Sequence, residues 1–214
     1  MDTEDVMTME SRIIETAKQV FVRKGYEATK MSDIATEAGI GRTALYYYYY
    51  RTKEMLFDAI FDQLMTSLLP NLGAIMEEKT SILEKLPKII IQYGQVLQQN
   101  PLFPIFVISE LHRDPEHLIS SVMKDPSRIK PIISLQKQIQ EEIEQGKLRK
   151  ISPIYSASTL VSLMAFPVLV REPLTRVFLE GDAARYDAFL EERIPFVTDI
   201  MLRMFSPDNN NPNN

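Results

Sequence analysis

Residues 13–56 read IIETAKQVFVRKGYEATKMSDIATEAGIGRTALYYYYYRTKEML, and this stretch decides the fold. Ile13, Ile14, Ala17, Val20 and Phe21 recur at helical spacing, and Gly25 follows the lysine that closes the last turn. A second, shorter helix turns Ile34 and Ala35 inward and stops at Gly39. Two residues separate it from Arg42, which opens a third segment. A helix, a short glycine-bearing turn and another helix make the helix-turn-helix signature. The third segment is then the reading helix, carrying Arg42, Thr43 and the tyrosines toward major-groove base edges and flanking phosphates.

Five consecutive tyrosines, Tyr46 to Tyr50, sweep right round such a helix, so some face inward and the rest are wet. Tyr46 and Tyr49 are expected as the inward pair. Tyrosine joins an apolar ring to a hydroxyl that can donate to a phosphate oxygen, which makes Tyr47, Tyr48 and Tyr50 candidate backbone contacts. The plain alternative is an aromatic run that packs a small domain lacking tryptophan. Placement between Arg42 and the Arg51, Lys53 pair favours contact with an anion.

Ala17, Phe21, Gly25, Tyr26, Thr29, Asp33, Ile34, Ala35, Ala38, Gly39, Leu45, Tyr46, Tyr49, Lys53, Glu54 and Leu56, in that order, resemble the DNA-binding domain of the TetR family of bacterial transcriptional regulators. Two departures stand out. Leu45 to Lys53 is one residue longer than the family's common pattern, leaving two registers open between Tyr47 and Arg51. Lys30 stands where the family commonly has a Ser or Thr capping the second helix, so the cap passes to Thr29 or Ser32 and Lys30 is free to reach a phosphate. The expected DNA-facing set is Lys30, Arg42, Thr43, Tyr46, Tyr47, Tyr48, Tyr50 and Lys53.

The charge distribution agrees with a reading headpiece although the whole chain carries −5. Residues 11–53 hold eight Lys and Arg against four acids, a net of +4, and the remainder is −9. A basic headpiece on an acidic body steers one face toward DNA. Cysteine is absent, which excludes disulfide scaffolds, thiol nucleophiles and zinc–cysteine sites and fits a reducing cytosol. The N-terminal MDTEDVMTMES lacks the apolar core of a signal peptide, and no run approaches the length of a membrane span. The expectation is a cytoplasmic protein without a membrane partner.

The fold class expected is all-α, with an N-terminal three-helix helix-turn-helix DNA-binding domain over residues 1–56. A larger helical effector-binding and dimerisation domain follows over 57–206, and a disordered tail over 207–214. Helices are predicted from Lys53 to Glu77, disturbed at Pro70, and from a Ser81–Glu84 capping box, with either a kink at Pro87 or a start near it. Further helices are predicted over Leu102–Arg113, over Arg128–Gln145 before Gly146, from Ser152–Pro153, and from Asp182 to Phe205.

The last two helices are apolar nearly all round: Ile154, Leu160, Val161, Met164 and Phe166 on one, Phe189, Ile194, Phe196, Val197, Ile200 and Met204 on the other. Such helices need cover on both sides. An ordinary monomer core would provide it, and so would the intersubunit four-helix bundle that the resemblance implies, which also gives two headpieces for a palindrome.

Tyr93, Leu97, Phe103, Phe106, Val107, Met123 and Met164 are candidate lining for an apolar effector pocket, each with plain core as its alternative. The resemblance implies that an effector among the fifth to eighth helices tilts the fourth and changes headpiece spacing. His112 and His117, with Glu110, Asp114 and Glu116, suggest a metal site, but Pro115 separates the histidines onto different elements, so no metal and no cofactor is expected. Phosphate-loop, dinucleotide, nucleophile-elbow and paired-carboxylate patterns are missing, so no enzymatic activity is expected.

The function implied is a ligand-responsive homodimeric repressor, released from a double-stranded palindromic operator by an unknown small effector. The alternatives are a helical small-molecule-binding protein or enzyme whose headpiece does not bind DNA, and a DNA-binding dimer that answers to a protein partner.

Overall fold

The computed structural model describes residues 8–123 and 125–207. The elements are α1 (Met9–Lys24), α2 (Met31–Glu37), α3 (Arg42–Ala44) running into a π turn (Leu45–Tyr49), α4 (Lys53–Glu77), α5 (Ile82–Gln99), α6 (Phe103–Arg113), α7 (Pro115–Met123), α8 (Pro126–Glu144), α9 (Pro153–Leu169), α10 (Arg171–Phe178) and α11 (Ala183–Phe205). No strand occurs among the described residues, so the expected all-α class holds. No single helix among them is long and apolar enough to cross a membrane. Residues 208–214, most of the expected tail, lie outside the described residues.

The chain divides into two compact units: residues 1–66 with 102–121, and residues 67–101 with 122–214. In the first, Ile13, Ala17, Val20 and Phe21 of α1 are buried with Ile34 and Ala35 of α2, Leu45, and Leu56 and Ile60 of α4. Phe21, Tyr26 and Phe57 form an aromatic cluster with ring centroids 5.3–5.7 Å apart. Phe106 of α6 stacks on Phe57 at 4.2 Å. This helix therefore belongs to the core of the headpiece unit.

In the second unit, α5 packs against α8, α9 and α11, and α10 against α9 and α11. Tyr186, Val197, Met201 and Phe205 form the buried face of α11, and Ile82, Leu86, Ile89, Ile90, Val96 and Leu97 that of α5. At Gly94 the helices come close: a Cβ there would sit 3.0 Å from Ile194 Cδ1. Glu142 on α8 accepts from the Ile82 amide at 3.2 Å, at the start of α5. The buried Lys85 ammonium donates to Met76 O at 2.7 Å and to Gln138 Oε1 at 2.5 Å.

Most predicted helix ends are where the caps placed them. The Ser81–Glu84 box forms, with the Ser81 amide donating to Glu84 Oε2 at 2.9 Å. Accordingly α5 starts at Ile82 and runs through Pro87, and α4 runs through Pro70. Asp182 accepts from the Ala184 and Arg185 amides. Two short helices escaped the sequence reading. Pro115 ends α6 but also suits the first position of α7, because a proline at N1 gives up an amide that has no helical partner. The other is α10, eight residues between α9 and α11.

Candidate nucleic-acid interface

The turn between α2 and the reading helix has defined geometry. Gly39 adopts φ +70°, its amide donates to Thr36 O at 3.1 Å, and the Ile40 amide donates to Ala35 O at 3.0 Å. This pair is the Schellman arrangement, which needs the left-handed conformation that glycine takes without penalty. It ends α2 within one residue and aims the chain into α3.

The start of α2 differs from expectation. Thr29 is buried and its hydroxyl donates to Gly25 O at 2.7 Å, while Ser32 makes no cap. Asp33 takes the role instead, its carboxylate accepting from the Lys30 amide at 3.1 Å and from Lys24 Nζ at 2.9 Å. These bonds hold the Asp33 carboxyl below its ordinary pKa, the Lys24 hydrogen bond contributing most. Lys30 itself is exposed.

Arg42 and Thr43 open the reading helix exposed. Beyond them the helix widens: the Tyr50 amide donates to Leu45 O at 2.8 Å, a bond five residues long. This π turn accommodates one extra residue within a helix, and it settles the register left open in the sequence. Residues five apart share a face in a π turn, so Leu45 and Tyr50 are the inward pair, 1% and 7% exposed. Tyr46, expected inward, is 49% exposed; Tyr47 is 71% and Tyr48 83% exposed, and Tyr49 is half-buried.

Tyr50, expected at a phosphate, is a correction for the same reason. Its hydroxyl donates to Glu10 Oε1 of α1 at 3.0 Å. Burial first, then this hydrogen bond and the Glu10 charge, push its pKa up to about 12. Lys53 also turns inward. Its ammonium donates to Tyr26 O at 2.7 Å and Glu27 O at 3.3 Å, and lies 4.3 Å from the Tyr26 ring centroid. The first turn of α4 is capped instead by Thr52, whose hydroxyl oxygen accepts from the Met55 amide at 3.1 Å. Lys53 thus pins α4 to the α1–α2 loop.

Arg113 of α6 covers the same ring, its guanidinium carbon 3.9 Å from the Tyr26 centroid. Glu110, 1% exposed, accepts from Arg113 Nε at 2.7 Å and from a terminal guanidinium nitrogen at 2.5 Å. Sequence reasoning missed this cluster, since nothing in the spacing of residues 26, 53 and 113 joins them.

Ion pairs sort the headpiece cations. Lys18 pairs with Glu15, Arg23 with Glu37 and Lys24 with Asp33. Three of the eight basic residues are thereby matched within the unit. Lys30, Arg42 and Arg51 are exposed.

The candidate effector residues separate. Phe103, Phe106 and Val107 lie on α6 in the first unit, with Phe103 and Phe106 buried. Leu97 and Met164 meet in the second, lining a small void of about 20 Å³ with Gly94, Val168 and Ile194. Leu97 and Val168 also border a larger, partly open cavity of about 340 Å³, lined further by Pro101, Tyr186 and Leu190 and by the polar Gln98, Arg171, Asp187 and Glu191. Tyr93 is half-buried, and burial raises its pKa. Met123 is 60% exposed at a separate open hollow beside α8.

His112 is exposed on α6 and His117 falls on α7, so the histidines occupy different elements. The His117 side chain lies outside the described residues. No group of three or more metal-ligating side chains gathers among the described residues.

Residues 13–60 match the bacterial regulatory proteins of the tetR family. The chain is 24% identical over 161 residues to YhgD, an uncharacterized HTH-type transcriptional regulator of Bacillus subtilis, covering 71% of this chain and 78% of that one. It is 25% identical over 142 residues to the fatty acid metabolism regulator protein of the same organism, covering 65% and 70%. YfiR, another HTH-type transcriptional regulator of B. subtilis, is 46% identical over 46 residues, 22% of each chain. Among solved structures, the TetR family transcriptional regulator PfmR of Thermus thermophilus aligns with a TM-score of 0.67 at 22% identity, over 92% of this chain and 97% of that one. The signature of the reading headpiece and the all-α architecture agree with these likenesses: residues 13–60 are a DNA-binding domain of the tetR family, and the chain along its length is similar to TetR-family transcriptional regulators.

Proposed function

We propose that the protein is a ligand-responsive homodimeric repressor that leaves a palindromic operator when a small, largely apolar effector binds. The observation that carries the DNA-binding part is the exposed row Arg42, Thr43, Tyr46, Tyr47 and Tyr48 on a helix held in place by the Schellman turn at Gly39. Arg42 and Thr43 at the start of the reading helix suit base edges, while tyrosine hydroxyls, Lys30 and Arg51 suit phosphates. Residues 1–56 act as the reading headpiece, and the effector and dimer functions fall within 57–206, of which the start of α4 and α6 pack in the headpiece unit.

Dimerisation is supported by apolar surface that one copy leaves uncovered. Ile154, Tyr155, Val161 and Phe166 of α9 and Phe196 of α11 are 52–71% exposed, more large apolar surface than two helices of a monomer ordinarily show to water. The effector reading rests on the cavity beside Leu97 and Val168, whose lining is mixed: Pro101, Tyr186 and Leu190 stand beside Gln98, Arg171, Asp187 and Glu191. Two similar proteins, the B. subtilis fatty acid metabolism regulator and a Clostridium perfringens protein described as a fatty acid metabolism regulator, favour an aliphatic ligand with a polar end.

Selection from random duplex DNA with purified protein tests the reading. The expected result is a two-fold-symmetric consensus bound by two copies, and weakened by a long-chain acyl compound. Recovery of no enriched duplex would favour the alternative, a helical binding protein or enzyme whose headpiece does not meet DNA.

A further inference from the structure

Pro167 stands inside α9 and has no amide to give, so the Leu163 carbonyl four residues earlier loses its helical partner. Arg193 of α11 replaces that partner, its Nε donating to Leu163 O at 2.8 Å. On the same seam the Tyr186 hydroxyl donates to Pro167 O at 3.1 Å. Tyr186, Leu190, Arg193, Val197 and Met201 follow one another at helical spacing along α11. The arginine therefore occupies the row that packs inward, where an apolar side chain is the ordinary choice.

One bond to a carbonyl does not use up a guanidinium. Arginine carries five N–H donors. With Nε engaged, the two terminal nitrogens still present a parallel pair, the arrangement that fits a carboxylate. Arg193 has no acidic partner among the described residues, in contrast to Arg171, which lies 3.9 Å from Asp187. The side chain is half-buried, burial lowers its pKa, and the Phe189 ring braces it at 5.8 Å.

The space beside it suits one small group. Arg193 borders the void of about 20 Å³, room for about one water-sized group. Gly94 keeps that void open, because a Cβ there would stand 3.0 Å from Ile194 Cδ1 and 3.4 Å from Met164 Cε. Leu97, Gln98, Val168 and Leu190 border both the void and the cavity of about 340 Å³, so the two adjoin. A molecule in the larger cavity can send one end to the arginine.

We propose that Arg193 anchors a carboxylate: the cavity takes a small monocarboxylic acid whose head enters the void beside Arg193 while its body lies along Leu97, Val168 and Leu190. The proposal rests on the effector reading above and names the chemistry of the ligand's head. Asp187 and Glu191 at the mouth disfavour a second negative charge on the same ligand.

The test is isothermal titration calorimetry of the full chain at about pH 8 with octanoate, octanol and octylamine, for the parent, Arg193→Gln and Arg171→Gln. The parent is expected to bind octanoate about tenfold more tightly than either of the others; Arg193→Gln abolishes that preference and Arg171→Gln keeps it. Equal binding of the three, tighter binding of octylamine at the acidic mouth, binding of none, a preference that survives Arg193→Gln, or one lost in Arg171→Gln overturns the assignment. Should Arg193→Gln fail to fold with Leu163 O left bare, Gly94→Ala decides: its Cβ closes the void and the preference should vanish, and a preference kept intact overturns the proposal. Operator binding followed in parallel separates the two readings. Octanoate bound with the Arg193-dependent preference but without loosening the operator complex upholds the carboxylate site and refutes its effector role. An operator released by octanoate equally from parent and Arg193→Gln refutes the assignment and leaves the effector reading standing.

Discussion

Tyr50 offers the sharpest contrast between a phosphate contact and a structural anchor, and Tyr50→Phe separates them. The ring is 7% exposed and its hydroxyl donates to Glu10 Oε1 at 3.0 Å. Phenylalanine keeps the buried ring and loses the bond. A hydrogen bond to a charged acceptor contributes roughly 1.5–3 kcal/mol, and because Glu10 is exposed, solvent reduces this to about 1 kcal/mol. The pH dependence has a definite sign. The folded-state pKa is pushed up to about 12 from an ordinary 10, so folding favours the neutral phenol. Its contribution is complete below pH 10 and is lost as the pH rises from 10 to 12. Urea denaturation of parent and variant at pH 8 and pH 11.5 should therefore show a gap of about 1 kcal/mol that narrows at the higher pH. DNA affinity of the folded variant at pH 8 should stay within about twofold of the parent. Equal stability at pH 8 together with a tenfold loss of affinity would return Tyr50 to the phosphate contacts and refute the inward placement.

Arg42→Ala and Thr43→Ala should each cost about 1–3 kcal/mol on the selected operator and much less on scrambled duplex, as competition binding would register; equal losses on both would move them to the backbone class. Lys53→Ala should lower the melting temperature of the protein by loosening the loop at Tyr26 and Glu27, and leave the salt slope of DNA binding unchanged. Arg51→Ala, by contrast, should flatten that slope by about one; the reverse pattern would make Lys53 the phosphate ligand. Phe196→Glu, at a position 58% exposed within its own copy, should leave helical content intact and sediment as a monomer. A dimer that persists with normal operator binding would place the subunit contact elsewhere.

Where the sequence carried phase information, the fold was legible in it. Ile13, Ala17, Val20 and Phe21 mark one side of α1, and they are buried. Gly39, Ser81, Gly146 and Asp182 mark ends, and the helices stop or start there. The tyrosine run carries no phase at all: every register puts a tyrosine inward, so spacing alone could not distinguish Tyr46 and Tyr49 from Leu45 and Tyr50. The signal that was present was length, the one residue beyond the family pattern between Leu45 and Lys53, which the π turn accommodates. Long flexible side chains were illegible for a different reason. Lys53 stands where a phosphate contact is plausible, but its four-carbon stem also reaches back to two carbonyls, and only the loop's position decides. The effector set mixed two units because large apolar residues look alike in sequence whether they fill a headpiece core, as Phe106 does, or border a cavity, as Leu97 does.

The reading helix by itself has a limited capacity to discriminate. On the proposed reading Arg42 and Thr43 are its base-facing side chains, and each good base contact is worth about 1–3 kcal/mol against a wrong base. Two of them reach at most about 6 kcal/mol, and the tyrosine hydroxyls add affinity without reading sequence. Specific sites are typically bound about 4–10 kcal/mol more tightly than random DNA. One headpiece lies at the bottom of that range, and a pair on a symmetric site moves well into it. The second unit has a matching need, since Ile154, Tyr155, Phe166 and Phe196 leave apolar surface in water when the copy is alone. Association through α9 and α11 would meet both needs at once: the event that covers those side chains also brings a second reading helix to the operator. Operator occupancy would then rise with the square of protein concentration below the dimerisation constant, a dependence that Phe196→Glu should reduce to first order.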